Sequence, residues 1–359
     1  LGGNGSVHKP IPFYYNFVIM VGNSQLLSVI IPTYEREDDV RNLLSSLKQD
    51  INHLEIIVVD DCSPNPSIFD SIKADYQRVK FIHSEKNAGP GASRNIGAKL
   101  AKGEFLLFLD SDTKLVNGSI DILLQFINSR PEVNVCTGWD HPTPISSGFF
   151  PRFKALFQVS VAPRSDCEVS YVAGRCFAVR RSAMLEIGGF DTNYAAAEVE
   201  DYELGYRINE KFGPIWFLTN LRVHHRYPSF SKQFVLYFRR TIQWIDLRSK
   251  QKQFDNSMGT SRIDALINIF SALIPFVFIT CYVSNYVIVA GVFLIIATVL
   301  NYRFLHLCWQ KEGSLFMVRA VICHSLLANA ICAGAVFAIC KNKLIASIKN
   351  TIFKFKSAF

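Results

Sequence analysis

Three short stretches hold residues able to do chemistry together. Asp110-Ser111-Asp112 closes an apolar run and puts two carboxylates in one loop. Carboxylates this close repel each other unless a cation sits between or near them. A divalent ion such as Mg²⁺ or Mn²⁺, shared with substrate phosphates, answers that need. Acidic residues also end strands as plain turn formers. In Asn87-Ala88-Gly89-Pro90-Gly91-Ala92-Ser93-Arg94, glycine and proline open a helix whose free N–H groups and positive end can face an anion. Arg94 adds a fixed-charge fork from the first turn. The same residues suit a capped loop-to-helix junction. No G-K-[ST] follows, so this is not a Walker loop. Glu198-Val199-Glu200-Asp201-Tyr202-Glu203-Leu204 crowds carboxylates at a helix start. One of them can act as a general base on a hydroxyl beside a metal-bound diphosphate. The helix dipole alone also favours acids there.

The elements that must position these residues follow from periodicity. Leu27–Ile31, Glu55–Val59, Val79–Ile82 and Glu104–Leu109 read as buried strands. They alternate with helical stretches over 36–49, a polar helix after Pro64, and 91–100. Such alternation predicts a parallel sheet with helices on both faces, and ligands bind beyond the C-terminal strand ends of such sheets. Three of those ends carry polar clusters: Thr33-Tyr34-Glu35, Asp60-Asp61 and Asp110-Ser111-Asp112.

Taken in order, LSVIIPTYERED, EIIVVDDCSP, KNAGPGASRNIGAKLAKGEFLLFLDSD, GGFD and EVEDYEL resemble glycosyltransferase family 2 over residues 27–226. The resemblance implies a GT-A fold, Rossmann-like with a mostly parallel sheet flanked by helices. It implies a nucleotide-sugar donor, with a leaning to uridine, contacted by Pro32, Thr33, Tyr34, Glu35, Asp60, Asp61, Arg94, Asp110 and Ser111. A divalent cation, Mn²⁺ or Mg²⁺, would be held by Asp112 and Asp110. Asp201 would be the catalytic base of an inverting transfer, with Glu200 close to the acceptor. Some GT-A enzymes supply a late His to the metal. His224-His225-Arg226, after a strand over Leu221–Val223, offers His224, with His225 as the adjacent choice and Arg226 as a diphosphate contact. Gly174 and Arg180 resemble the acceptor-side wall. The Q-x-x-R-W motif of processive relatives has no counterpart in Arg239-Arg240-Thr241-Ile242-Gln243-Trp244, so transfer of a single sugar is expected.

Charge distribution adds a membrane. The 359-residue chain carries a net charge of +8 and is 49% hydrophobic. No charged side chain lies from Ala265 to Tyr302 or from Ala320 to Cys340. The first run is long enough for two bilayer spans and the second for a third. The stretch Phe234–Leu247 reads as a basic amphipathic helix at the membrane interface. Basic residues beside apolar spans fit anionic lipid head groups rather than nucleic acid. The expected division is therefore an extension over 1–24, a catalytic domain over 25–230, and an interface helix over 231–262. Transmembrane helices over 263–341 and a basic tail over 342–359 complete it. The expected acceptor is membrane-associated, a polyprenyl phosphate or glycolipid of surface-glycan assembly; a soluble glycan or protein is the alternative. Nucleotide sugars are cytosolic, so the expected protein is an integral one of the plasma or inner membrane with its catalytic domain in the cytoplasm. Three spans would then send the tail outside, whereas Lys341, Lys343, Lys349, Lys354 and Lys356 favour the inside. Nine cysteines without C-x-x-C spacing fit free thiols in a reducing compartment. Phe13–Val21 makes a poor signal peptide, and Met20 reads as a plausible start.

Overall fold

A computed structural model describes residues 27–194, 198–249, 261–284 and 287–356. The expected extension over 1–24 lies outside them. Nine strands form one sheet: β1 (Leu27–Thr33), β2 (Glu55–Asp60), β3 (Lys80–His83), β4 (Phe105–Leu109), β5 (Thr113–Leu115), β6 (Val135–Asp140), β7 (Cys167–Val169), β8 (Cys176–Arg180) and β9 (Ile215–His225). Helices α1 (Glu37–Ser46), α2 (Asp70–Asp75), α3 (Pro90–Leu100), α4 (Ser119–Ser129), α5 (Phe149–Val161), α6 (Arg181–Glu186) and α7 (Glu200–Phe212) flank it.

The apolar runs become strands because every residue can be buried on one face or the other. In β1, Val29 and Ile31 pack with Val40, Leu43 and Leu44 of α1, while Ile30 faces the opposite layer with Ala98 of α3. β2 and β4 divide in the same way, Ile56, Val58, Leu107 and Leu109 against Ile57, Val59, Leu106 and Phe108. Gly97 permits the close approach of α3, since a Cβ there would collide with Ile30.

The sheet order is β3-β2-β1-β4-β8-β6-β9-β5, with β7 on β9. The first four strands are parallel, as the alternating pattern predicts. Beyond β4 the sheet is mixed: β8 is antiparallel to β4 and β6, β9 is parallel to β6, and β5 and β7 are antiparallel to β9. The sheet is thus less parallel than expected, because its second half is not built from βαβ units. Thr33 pairs with Asp60 and Asp60 with His83, so the polar C-terminal ends of the parallel strands share one edge. The antiparallel β5–β9 pair sets Thr113 opposite His225 and returns the end of β9 to the Asp110–Asp112 loop.

The rest of the chain is helical: α8 (Phe230–Ser249), α9 (Arg262–Ser284), α10 (Val287–Leu300), α11 (Tyr302–Glu312) and α12 (Ser314–Lys356). An aromatic seam joins these helices to the sheet domain, with Phe153 of α5 against Phe304 of α11 (5.5 Å) and Phe149 against Phe316 of α12 (4.9 Å). Among the described residues one helical stretch, Ser314–Ile345, is long and apolar enough to cross a membrane. Between α10 and α11 the chain bends by 74°.

Candidate active site

Glu200 and Arg94 are both buried, and their contact organises the site. Arg94 Nη1 lies 3.3 Å from Glu200 Oε1, and its Nη2 lies 2.5 Å from Asp110 Oδ1. One guanidinium therefore ties the loop after β4 to the start of α7. Arg94 also stacks over Phe190 at 5.1 Å. Asn95 fixes that segment by exchanging two hydrogen bonds with the Phe190 backbone (2.8 and 2.9 Å).

Asp201 stands beside this bridge. Its Oδ2 accepts from the Gly174 N–H at 3.1 Å and its Oδ1 from the Tyr202 N–H at 2.9 Å. Gly174 is at close quarters: a Cβ would stand 3.3 Å from Asp201 Oδ2 and 3.4 Å from Arg94 Nη2. Burial and the Asp201 carboxylate push the Glu200 carboxyl above its ordinary range, against the pull of Arg94 and Arg240. Burial also raises the Tyr202 phenol.

Next along the chain, Arg175 carries the network to the other half of the site. Its carbonyl accepts the Asp110 N–H at 3.3 Å, and its guanidinium lies 2.6 Å from the fully buried Asp140. Asp140 lies 3.3 Å from His225 Nδ1, and His225 Nε2 lies 3.6 Å from Asp112 Oδ1. Asp112 Oδ2 accepts from Arg36 at 2.6 Å. Burial opposes the charge on Asp112, yet His225 and Arg36 outweigh it and lower the carboxyl to about 2. Burial likewise opposes a charged His225, and Asp112 with Asp140 raises the ring to about 9. Glu200, Asp201, Asp110 and Asp112 thus converge, linked through Arg94, Arg175 and His225.

The expected metal ligand His224 requires correction. Its ring faces the other way, with Nδ1 2.7 Å from the Thr143 carbonyl and its centroid 4.4 Å from that of His141. Neighbouring side chains alternate along β9, so His225 is the one that reaches Asp112. Among the described residues no group of three His, Cys, Asp or Glu side chains is assembled to hold a metal. The Asp112–His225 pair does fit a divalent cation of the Mn²⁺ kind by donor type, an oxygen and a ring nitrogen. Asp140 on the far ring nitrogen is the usual device for orienting a ligating histidine. Arg226, the expected diphosphate contact, bonds to Asp39 at 2.6 Å. Arg180 is engaged with Glu104, away from these acids.

The donor-side residues divide into two kinds. Pro32 and Thr33 are buried at the end of β1, and Tyr34 and Glu35 are exposed just beyond it. Glu35 has a φ of 52°, and its N–H donates to Ser63 Oγ at 2.8 Å. Asp60 is turned inward, accepting from Ser63 Oγ at 2.5 Å and lying 2.7 Å from His83 Nδ1. Asp61 accepts from the N–H groups of Ala88 (3.0 Å) and Gly89 (2.8 Å). Those two N–H groups therefore hold Asp61 and do not face outward to an anion, as the helix-opening pattern had suggested. Ser111 is buried between the two acids of its loop. Sequence reasoning missed Arg36, Asp140 and Arg175. Only Asp140 left a signal, as the carboxylate ending a further apolar strand.

Residues 28–188 match the model of glycosyl transferase family 2. That segment, somewhat under half of the chain, is a domain of that family. An uncharacterized glycosyltransferase of Haemophilus influenzae is 32% identical over 202 residues, 52% of this chain and 66% of its own length. The Campylobacter jejuni GalNAc(5)-diNAcBac-PP-undecaprenol beta-1,3-glucosyltransferase is 38% identical over 106 residues, 28% of this chain and 34% of its own. The chain thus spans only part of the length of either relative. Among solved structures, the mannosyltransferase PcManGT of Pyrobaculum calidifontis, in complex with GDP-Man and Mn²⁺, superposes with a TM-score of 0.57. It covers 88% of this chain and 87% of that one at 14% identity, a likeness of fold.

Proposed function

We propose that this glycosyltransferase moves a single sugar, with inversion, from a nucleotide diphosphate sugar to a membrane-associated acceptor such as a polyprenyl phosphate or glycolipid. The observation that carries this reading is the Arg94 bridge, which brings the Asp110 loop and the Glu200–Asp201 pair to one place. Asp201 is the general base. With a glycolipid acceptor, its carboxylate takes the proton of the attacking hydroxyl as that oxygen bonds to the anomeric carbon and the carbon–oxygen bond to the diphosphate breaks. Two N–H donors hold Asp201 in orientation without using all its lone pairs. Glu200, buried against Arg94, sits at the acceptor side of the base. A divalent cation, Mn²⁺ or Mg²⁺, held by Asp112 and His225 would supply charge neutralisation for the departing diphosphate. Exposed apolar side chains on α9, α10 and α12 support a membrane-associated acceptor and a membrane-bound protein. The lipid-linked substrate named for the Campylobacter relative supports the same class. Arg36 and Tyr34, at the open rim, are the first side chains a donor meets.

The test is a panel of radiolabelled nucleotide sugars incubated with the full-length protein, Mn²⁺ or Mg²⁺, and total membrane lipid. Label entering the lipid fraction only with a divalent ion is the expected result. Neither hydrolysis nor transfer from any donor would overturn the assignment.

A further inference from the structure

The basic tail and the three expected spans conflict only if each apolar helix crosses a bilayer, and their attachments point elsewhere. The apolar part of α12 begins at Ser314, directly after α11, whose Glu312 pairs with Arg152 of α5 at 2.9 Å. Arg319, one turn further, lies over Phe149 of α5 at 4.5 Å. At the far end Lys341 and Asn342 both donate to Asp246 of α8, at 2.6 and 3.0 Å. Between these ends Gly334 lets α12 lie against α8: a Cβ there would stand 2.6 Å from the Phe238 carbonyl oxygen. α8 itself leaves the sheet domain at Phe230 and carries Lys232, Arg239, Arg240, Asp246 and Arg248. So many charges exclude it from hydrocarbon, and the charge of Arg240 is felt by Glu200 in the active site. Both ends of the apolar stretch are therefore fastened to polar elements of the same body.

Apolar surface on α9 and α10 adds to the exposed apolar face of α12. Asn301 Nδ2 bonds to Ser271 Oγ (3.1 Å) and Asn329 Nδ2 to the Ala272 carbonyl (3.1 Å), so α9, the end of α10 and α12 meet at one level. Phe270 of α9 and Phe293 of α10 stack at 5.0 Å, so the two helices pack on each other. The 14 residues of α10 rise about 21 Å, short of the roughly 30 Å hydrocarbon core but deep enough for one leaflet. Ile288, Val289 and Val299 are 84%, 66% and 67% exposed. After the 74° bend, α11 presents the exposed rings of Tyr302 and Trp309, residue types that settle at the membrane–water interface.

We propose that the protein is monotopic: the α9–α10 hairpin enters one leaflet and returns, α11 and α12 lie along the membrane surface, and Lys341 and Lys343 stay on the side of the sheet domain, facing anionic head groups. The lipid surface is the occupant that fits, because the apolar faces are rimmed by Lys232, Arg239, Lys341 and Lys343. The reading extends membrane association without depending on which sugar or acceptor is used.

The experiment uses the full-length protein in sealed vesicles in which a cysteine at an exposed sheet-domain position, Lys99→Cys on α3, reacts fully with membrane-impermeant biotin-maleimide. Lys343→Cys is labelled in parallel and read by mass spectrometry of its peptide. Equal labelling of both positions before and after detergent is expected. Labelling of position 343 only after detergent would show a crossing helix and overturn the proposal. In a second arm, Val292→Arg on the exposed face of α10 lowers flotation with phosphatidylcholine–phosphatidylglycerol vesicles by roughly tenfold or more, at an unchanged melting temperature in detergent. Unchanged flotation of that variant, or a parent protein that self-associates without floating, would overturn it too. No sugar substrate enters either arm, so a failed transfer assay and a failed topology are told apart.

Discussion

Asp110 and Glu200 never touch, yet both rest on the Arg94 guanidinium, at 2.5 and 3.3 Å. Glu200 and Arg94 are each almost wholly buried, so the charges compensate each other in a place where neither could stand alone. Removing one partner of a buried pair costs about 3–5 kcal/mol, because the other charge is left uncompensated. Arg94→Ala should lose stability on that scale in urea unfolding. Arg94→Lys should fall between, since an ammonium cannot fork to two carboxylates. A loss within experimental error for the alanine variant would mean that the bridge holds nothing together.

The two adjacent histidines should behave differently. His225 is 3.6 Å from Asp112 and is oriented by Asp140, whereas His224 points at His141 and the Thr143 carbonyl. His225→Ala should weaken Mn²⁺-dependent binding of a nucleoside diphosphate by roughly 10–100-fold in calorimetry, with Asp112→Asn at least as damaging. His224→Ala should bind within a factor of two or so of the parent. Equal losses from both histidines would contradict the alternation of β9.

That pair also marks where the sequence stops being readable. The strand ends Thr33, Asp60 and Asp110 were visible because period-two burial on two faces needs only local residues. Which histidine faces Asp112 depends on the pairing of Thr113 with His225, a contact between distant segments that no local pattern encodes. The same holds for Asp61. Its place at a strand end was legible, but its use as a clamp for the Ala88 and Gly89 N–H groups arises only when α3 docks. Arg175 was silent for a similar reason, meeting Asp140 at the end of β6 only from the distant turn before β8. The apolar helices were legible as apolar, whereas their attachments, Arg152 to Glu312 and Lys341 to Asp246, appear only in the folded chain.

Asp201 and Glu200 adjoin in sequence but sit in different surroundings. Asp201 is partly accessible and held by two N–H groups; Glu200 is buried against Arg94. General-base catalysis is typically worth about 10²–10⁴-fold. Asp201→Asn should lower sugar transfer by that order while leaving donor binding near the parent value. Transfer retained by Asp201→Asn but lost by Glu200→Gln would move the base to Glu200.

Gly174 offers a finer probe of the same geometry. An added methyl would stand 3.3 Å from Asp201 Oδ2 and 3.4 Å from Arg94 Nη2, close enough to push either by a few tenths of an ångström. Misplacing a catalytic group by 1 Å costs about 10²-fold, so Gly174→Ala should lose roughly severalfold to tenfold in kcat. Its melting temperature should change little. A variant with normal kcat would show that the acid is not held as tightly as its hydrogen bonds imply.

The fold's response to acid should report on Glu55, at the start of β2. Its buried carboxylate accepts from Ser28 Oγ (2.6 Å), the Lys102 N–H (2.6 Å) and Lys80 Nζ (2.5 Å). Burial works to raise its pKa, but these donors prevail and hold it below the ordinary glutamate value of 4.5. A carboxyl whose pKa is lower folded than unfolded contributes stability above the unfolded value, and loses it as pH falls through the folded one. The expected window therefore opens just below pH 4.5 and extends downward. Lys80 is partly exposed, so solvent screening keeps its share modest. Glu55→Gln should melt lower than the parent at neutral pH, yet show a flatter decline of Tm over the acid range, so that the two curves converge. Parallel curves across that range would mean that the proton taken up on acid unfolding binds elsewhere.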